Sequence, residues 1–179
     1  MMEIIHYTIL KLVLNAVENV GYPYFKVLAS DSPKKVLERE KIFCYELYHR
    51  MRQIQDNYCK DLTLNSEYDR FRALYKRNEM PDFLFYISET DYSNTAIIEV
   101  RNTRQMMEND IHKIEEFINQ NKCKMGISLI YSKTFSSVEK YIKGNDELYE
   151  LKNKENIFII AASDPAHIKC KSLMEITGG

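Results

Sequence analysis

The residues best suited to chemistry lie in one stretch, Pro81 to Asn102, which reads PDFLFYISETDYSNTAIIEVRN. An acid, Asp82, opens one alternating apolar run, and a second acid, Glu99, lies near the end of another. Strand periodicity puts Phe83, Phe85 and Ile87 on one side of the first run and Asp82, Leu84 and Tyr86 on the other. In the second run Ala96, Ile98 and Val100 share a face, and Ile97, Glu99 and Arg101 share the opposite one. Ser88 to Thr95 holds the turn formers Asp91, Ser93 and Asn94. A hairpin turning near Thr90 and Asp91 sets Asp82 opposite Glu99, and such partners have Cβ atoms roughly 5 Å apart. Arg101 shares that face. Two carboxylates and a cation would therefore meet beside Leu84, Tyr86 and Ile97. This is a candidate metal site, or in the plainer case a structural ion-pair cluster. A one-residue bulge would break the register.

The rest of the chain has to position that face. Residues 3–19 carry a helical stripe of Ile5, Ile9, Leu12, Val13 and Ala16, and Gly21 and Pro23 end it. The stripe suits a core helix, and its width also suits docking on a second copy or a partner protein. A second helix is expected from Pro33 to Asp56, announced by Ser32 and Pro33. Its stripe is Val36, Leu37, Phe43, Cys44, Leu47, Tyr48, Met51 and Ile54, and Glu40 falls inside it. An acid on an inward face is costly unless it is paired or metal-bound. Glu40 is therefore either a ligand or the partner of a buried cation, Arg101 being one candidate.

Residues 61–70 suggest a short strand and a polar loop, where Glu67 and Asp69 are weak site candidates. Arg70, Arg72, Lys76 and Arg77 form a basic run, suited to a solvated face or to phosphate contact. A helix from Arg104 to Gln120, with Met107, Ile111, Ile114 and Ile118 inward, starts close to Arg101. Strands are expected at Gly126 to Ser132 and Asn156 to Ala162, with a helix over Ser136 to Leu151 between them. From Ser163 the tail is expected to end in a short, frayed segment. His6, His49, His112 and His167 are isolated in the sequence, and each suits a surface or helix face.

The order is helix, helix, strand, hairpin, helix, strand, helix, strand. It predicts an α/β protein with a mixed central sheet flanked by helices. A chain of 179 residues suits one domain, and 28% charged residues is ordinary for a globular protein. A formal net charge of −1 gives no bulk attraction to nucleic acid, although a local basic groove remains compatible with it. Cys44, Cys59, Cys123 and Cys170 lack the paired spacing of a zinc site and fit a reducing, cytoplasmic setting. Glu3, His6, Lys11 and Asn15 interrupt the apolar start, so neither a signal peptide nor a membrane span is expected.

Pro81-Asp82, the spacer and Glu99-Val100-Arg101 together resemble the motif of the PD-(D/E)xK nuclease superfamily, and Glu40 resembles the acid often found on its preceding helix. The resemblance implies a restriction-endonuclease-like fold within one domain, 1–179. Residues 1–32 would be an N-terminal helical extension and 33–162 the core. It implies that Asp82, Glu99 and the Val100 carbonyl hold Mg²⁺ or Mn²⁺, and that Glu40 holds a metal water or a second ion. It further implies a nucleic-acid partner, DNA or RNA, hydrolysed at its phosphodiester bonds. A homodimer or a partner protein on the N-terminal helix is compatible with it. The departure is Arg101 where the family has Lys: Arg keeps the charge but stays protonated and is bulkier. Arg101 would orient the attacking water or brace the phosphate. Lys113, on the following helix, stands only loosely where some relatives place the cation. A catalytically weakened protein of this fold, binding nucleic acid or protein, is the second expectation.

Overall fold

The computed structural model describes residues 2–29, 32–37, 40–66, 80–87, 96–103 and 107–178. Six strands form one mixed open sheet in chain order: β3 (Leu62–Ser66), β4 (Phe83–Ile87), β5 (Ala96–Arg101), β6 (Met125–Tyr131), β7 (Ile157–Asp164) and β8 (His167–Ser172). The first three pair antiparallel, β5 to β6 and β6 to β7 pair parallel, and β8 returns antiparallel. A parallel pair needs a crossover, and α4 (Met107–Asn119) and α5 (Phe135–Lys143) supply the two. A separate antiparallel ribbon joins β1 (Val27–Ala29) to β2 (Ser32–Leu37). The α/β class and the mixed, helix-flanked sheet are thus as expected.

Strand alternation sorts the core into two layers. On one face Phe83, Phe85, Ile98, Ile127 and Tyr131 pack with α1 (Met2–Glu18), α2 (Tyr22–Phe25) and α3 (Glu40–Tyr58). The Phe43 and Tyr131 rings stack there at 4.2 Å. On the other, Leu84, Ile97, Ile130 and Ile159 pack with α4, α5 and α6 (Leu173–Thr177). Covered on both sides, β6 is buried along its whole length, which is why it reads as an unbroken apolar run. Glycine at 126 permits this on the α4 side, where an added Cβ would overlap Ile114 Cγ2.

The α1 stripe is taken up inside the chain, as the core-helix reading expected: Ile9, Leu12, Val13, Ala16 and Val17 are buried in the first core layer. Two helix boundaries differ from expectation. The second helix begins at Glu40, not Pro33. Its supposed first turns are strand β2, where Pro33, lacking an N–H, is tolerated near the start of a two-stranded ribbon. The helix expected to reach Leu151 stops at Lys143, before Gly144, and a 3-10 turn, Asp146–Tyr149, follows.

The tail is ordered. Lys169 and Lys171 alternate with the half-buried Ile168 and Cys170 in β8, a lysine-bearing strand at the sheet edge. The core therefore continues past residue 162. Helix α6 closes the chain with a capping box: Ser172 Oγ accepts the Glu175 N–H at 3.1 Å, and the Glu175 carboxylate accepts the Ser172 N–H at 2.6 Å. Ser172→Ala is expected to cost about 1 kcal/mol in thermal unfolding. The Ser172 hydrogen bonds also depress the Glu175 pKa. That contribution is present above the ordinary glutamate range and is lost as pH falls through the lowered value. An acid titration of stability should therefore lose its low-pH component in Glu175→Gln. The hairpin turn at 88–95, the acids Glu67 and Asp69 and the basic run Arg70, Arg72, Lys76 and Arg77 lie outside the described residues.

Candidate active site

Pro81 has no N–H to give, and the β4–β5 ladder stops just after it. The last pairs are Leu84 with Ile97 and Phe83 with Ile98, a register that sets Asp82 opposite Glu99 as expected. The Asp82 side chain then extends the ladder, its Oδ2 accepting the Val100 N–H at 2.7 Å. Glu99 points to the α4 side and is 1% exposed. Lys113 of α4 meets it, with Nζ 2.6 Å from Glu99 Oε1, and also donates to the Met80 carbonyl at 2.9 Å.

Arg101, at the end of β5, reaches both helical layers. Its Nε and Nη2 each lie 3.0 Å from an Asp110 oxygen on α4, a bidentate grip. Its Nη1 lies 3.2 Å from Glu40 Oε1, at the first residue of α3, 3.1 Å from the Val100 carbonyl and 3.6 Å from Asp82 Oδ2. Nη2 is also 3.6 Å from Glu99 Oε2. The structure thus gathers every residue of the expected site, Glu40, Asp82, Glu99, Val100 and Arg101, and places the guanidinium at the centre of the acids.

Among the described residues, four carboxylates (Glu40, Asp82, Glu99, Asp110) face two cations (Arg101, Lys113). Burial, reinforced by Asp82 and Asp110, pushes the Glu99 carboxyl up to about 8 although Lys113 pulls it down. Burial likewise raises Asp110 and Glu40, against the pull of Arg101. Burial works against the Arg101 charge, but the surrounding acids more than offset it and its pKa is raised. Carboxylate and carbonyl oxygens grouped this closely suit a hard divalent cation. The site also opens to solvent. Glu40 and Asp82 line a cleft of about 140 Å³ that continues past Lys41, Tyr45, Tyr48 and Phe83.

Asp110 was not singled out from the sequence, although the argument that isolates Glu40 applies to it: Met107, Asp110, Ile111 and Ile114 share one helical face, and an acid among them must be paired. Lys113 matches the motif only loosely by sequence, and the structure brings it onto Glu99. The histidines are also less isolated than they read. His112, Glu108 and Glu147 offer ligand atoms within 4.8 Å of one another, a group that could hold a metal ion, two of its members lying on the same helix α4 as Asp110 and Lys113. His167 Nδ1 lies 2.8 Å from Asp164 Oδ1. Among the described residues no helix is long and apolar enough to cross a membrane.

Against known proteins, no family profile, curated protein or solved structure matches this chain.

Proposed function

We propose that Asp82, Glu99, the Val100 carbonyl and Glu40 form a metal-dependent phosphodiesterase centre of the PD-(D/E)xK kind, acting on nucleic acid in a restriction-endonuclease-like domain spanning the chain. The observation that carries this reading is the 2.6 Å contact of Lys113 with Glu99, which supplies from α4 the amine that Arg101 replaces in the motif. The β3–β4–β5 meander, the α4 crossover and parallel β6 follow the element order of that fold. Arg101 Nη1 lies 3.1–3.6 Å from three oxygens assigned to the ion, so a guanidinium holds a cation's place among them.

Asp82, Glu99 and the Val100 carbonyl would hold Mg²⁺ or Mn²⁺, with Glu40 completing the oxygen set. When bound, the ion would polarise a phosphoryl oxygen and acidify a water. Lys113 fixes the Glu99 carboxylate and presents an N–H to an attacking water. Arg101, turned out of the acid cluster, can brace a phosphate through two parallel N–H groups. Cleavage of labelled DNA and RNA in Mn²⁺ or Mg²⁺ tests the proposal. Asp82→Ala should lower the rate by at least about 100-fold, the upper range for losing even an outer-shell partner of a metal. Cleavage that survives Asp82→Ala would discard it.

The second reading is a nucleic-acid-binding protein of the same fold without catalysis. The contacts of Arg101 with all four acids favour it, because an internal cation already balances part of the site. Binding without cleavage, unchanged by Mn²⁺, would select it.

A further inference from the structure

We infer that the cleft beside the acids seats one unpaired nucleobase, so that the strand is single-stranded where it meets the catalytic centre. This rests on the nuclease reading and names its substrate class. Glu40, Lys41, Tyr45 and Tyr48 follow one side of α3, and Asp82 and Phe83 form the facing wall. From Glu40 to Tyr48 the helix rises roughly 12 Å. One end of the cleft is the acid cluster, and the other is aromatic. Tyr48 is held in place by stacking on Phe83, with centroids 6.3 Å apart and planes 12° from parallel. Tyr45 is 74% exposed, an aromatic ring left in solvent at the cleft rim. Lys41 stands next to Glu40 and puts a positive charge where the cleft leaves the acids.

Each part corresponds to a part of a nucleotide. A phosphate belongs at the cation-loaded acids. The Lys41 ammonium suits the neighbouring phosphate. A flat ring belongs on the tyrosines. A base inside a duplex has both faces stacked and its edge paired, so it has no face to offer Tyr45. An unstacked base does, and aromatic stacking accepts any base. The centre should therefore prefer single strands or frayed ends and show little sequence preference.

The test uses a short fluorescein-labelled DNA strand, alone and as a blunt duplex, with the full chain in Ca²⁺ for anisotropy and in Mn²⁺ for cleavage. Tyr45 is exposed enough that its replacement leaves the fold intact. Tyr45→Ala should weaken single-strand binding roughly 5- to 150-fold, the range expected for one lost base stack. KM should rise with it while kcat holds. Tyr45→Phe, which keeps the ring, should stay close to wild type, and the duplex should bind weakly to all three proteins. Equal binding of strand and duplex, or a Tyr45→Ala protein indistinguishable from wild type, overturns the inference. The two proposals separate cleanly. Tyr45-dependent binding without cleavage in Mn²⁺ refutes catalysis and keeps the base seat. Duplex cleavage indifferent to Tyr45 refutes the seat and keeps catalysis.

Discussion

Arg101→Ala is expected to destabilise the metal-free protein by roughly 3 kcal/mol, and millimolar Mn²⁺ is expected to restore most of that loss. Arg101 touches Glu40, Asp82, Glu99 and Asp110, and its removal leaves Lys113 as the one remaining cation among the described members of the cluster. Breaking a buried ion pair from one side costs about 3–5 kcal/mol, because the stranded charge cannot regain its hydration. The Arg101 side chain is 21% exposed, so solvent screening puts the expected loss at the low end. In a chain of this size that corresponds to a fall of about 6–12 °C in Tm. The diagnostic part is the rescue. An ion present at about 100 times its Kd returns close to 3 kcal/mol, here by taking the place the guanidinium has left. Thermal unfolding in EDTA and in Mn²⁺ measures both halves. A His112→Ala background removes any contribution from the Glu108–His112–Glu147 group. If Mn²⁺ fails to stabilise the Arg101→Ala protein, the cluster is a structural ion-pair network and the metal reading is lost.

Gly126→Ala is expected to cost about 3 kcal/mol or more, near the top of the range for overpacking. The added methyl would fall on Ile114 Cγ2, in a layer where Ile114, Ile97 and Ile130 are fully buried and have little room to yield. Parallel strand β6 and helix α4 would have to separate, and α4 carries Asp110 and Lys113. The substitution should therefore also disturb the site. Ile114→Ala alone leaves a cavity and destabilises. Combined with Gly126→Ala it removes the overlapping methyl, so the double variant should be more stable than the sum of the two changes predicts, by about 1–2 kcal/mol. Denaturant unfolding of the four proteins gives that coupling directly. Strict additivity would mean that α4 does not ride on β6 as closely as described.

Much of the hairpin was legible because period-two alternation over Phe83–Ile87 and Ala96–Arg101 leaves one register that buries both apolar sets. The same alternation assigns Glu99 to the α4 face. Glu40 was legible as an acid among inward positions, although the helix that bears it begins later than its flanking residues suggest. Val36 and Leu37 fit the helical stripe by spacing, yet their backbone is strand, since short apolar segments satisfy both periods and tertiary pairing decides between them. The last strand was not legible for a different reason. HIKCKS alternates, but its outward residues are lysines and its inward ones are few, so it lacks the apolar weight that marks a central strand. Lys113 and Asp110 needed the crossover geometry of α4 over β5. Nothing in their local sequence fixes which β5 residues they meet.

The chain order of the six strands has a kinetic consequence. Each strand pairs with the one made just before it, so a chain emerging from the ribosome can add β4 to β3 and β5 to β4 without waiting for distant segments. The first step that must wait is parallel pairing of β6 with β5, because it requires α4 to be laid across the sheet. That same step delivers Asp110 to Arg101 and Lys113 to Glu99. Closure of the sheet and pairing of the hairpin's charges with those of α4 are then one event. A nascent chain halted before Met107 would hold Asp82, Glu99 and Arg101 without the partners that α4 brings.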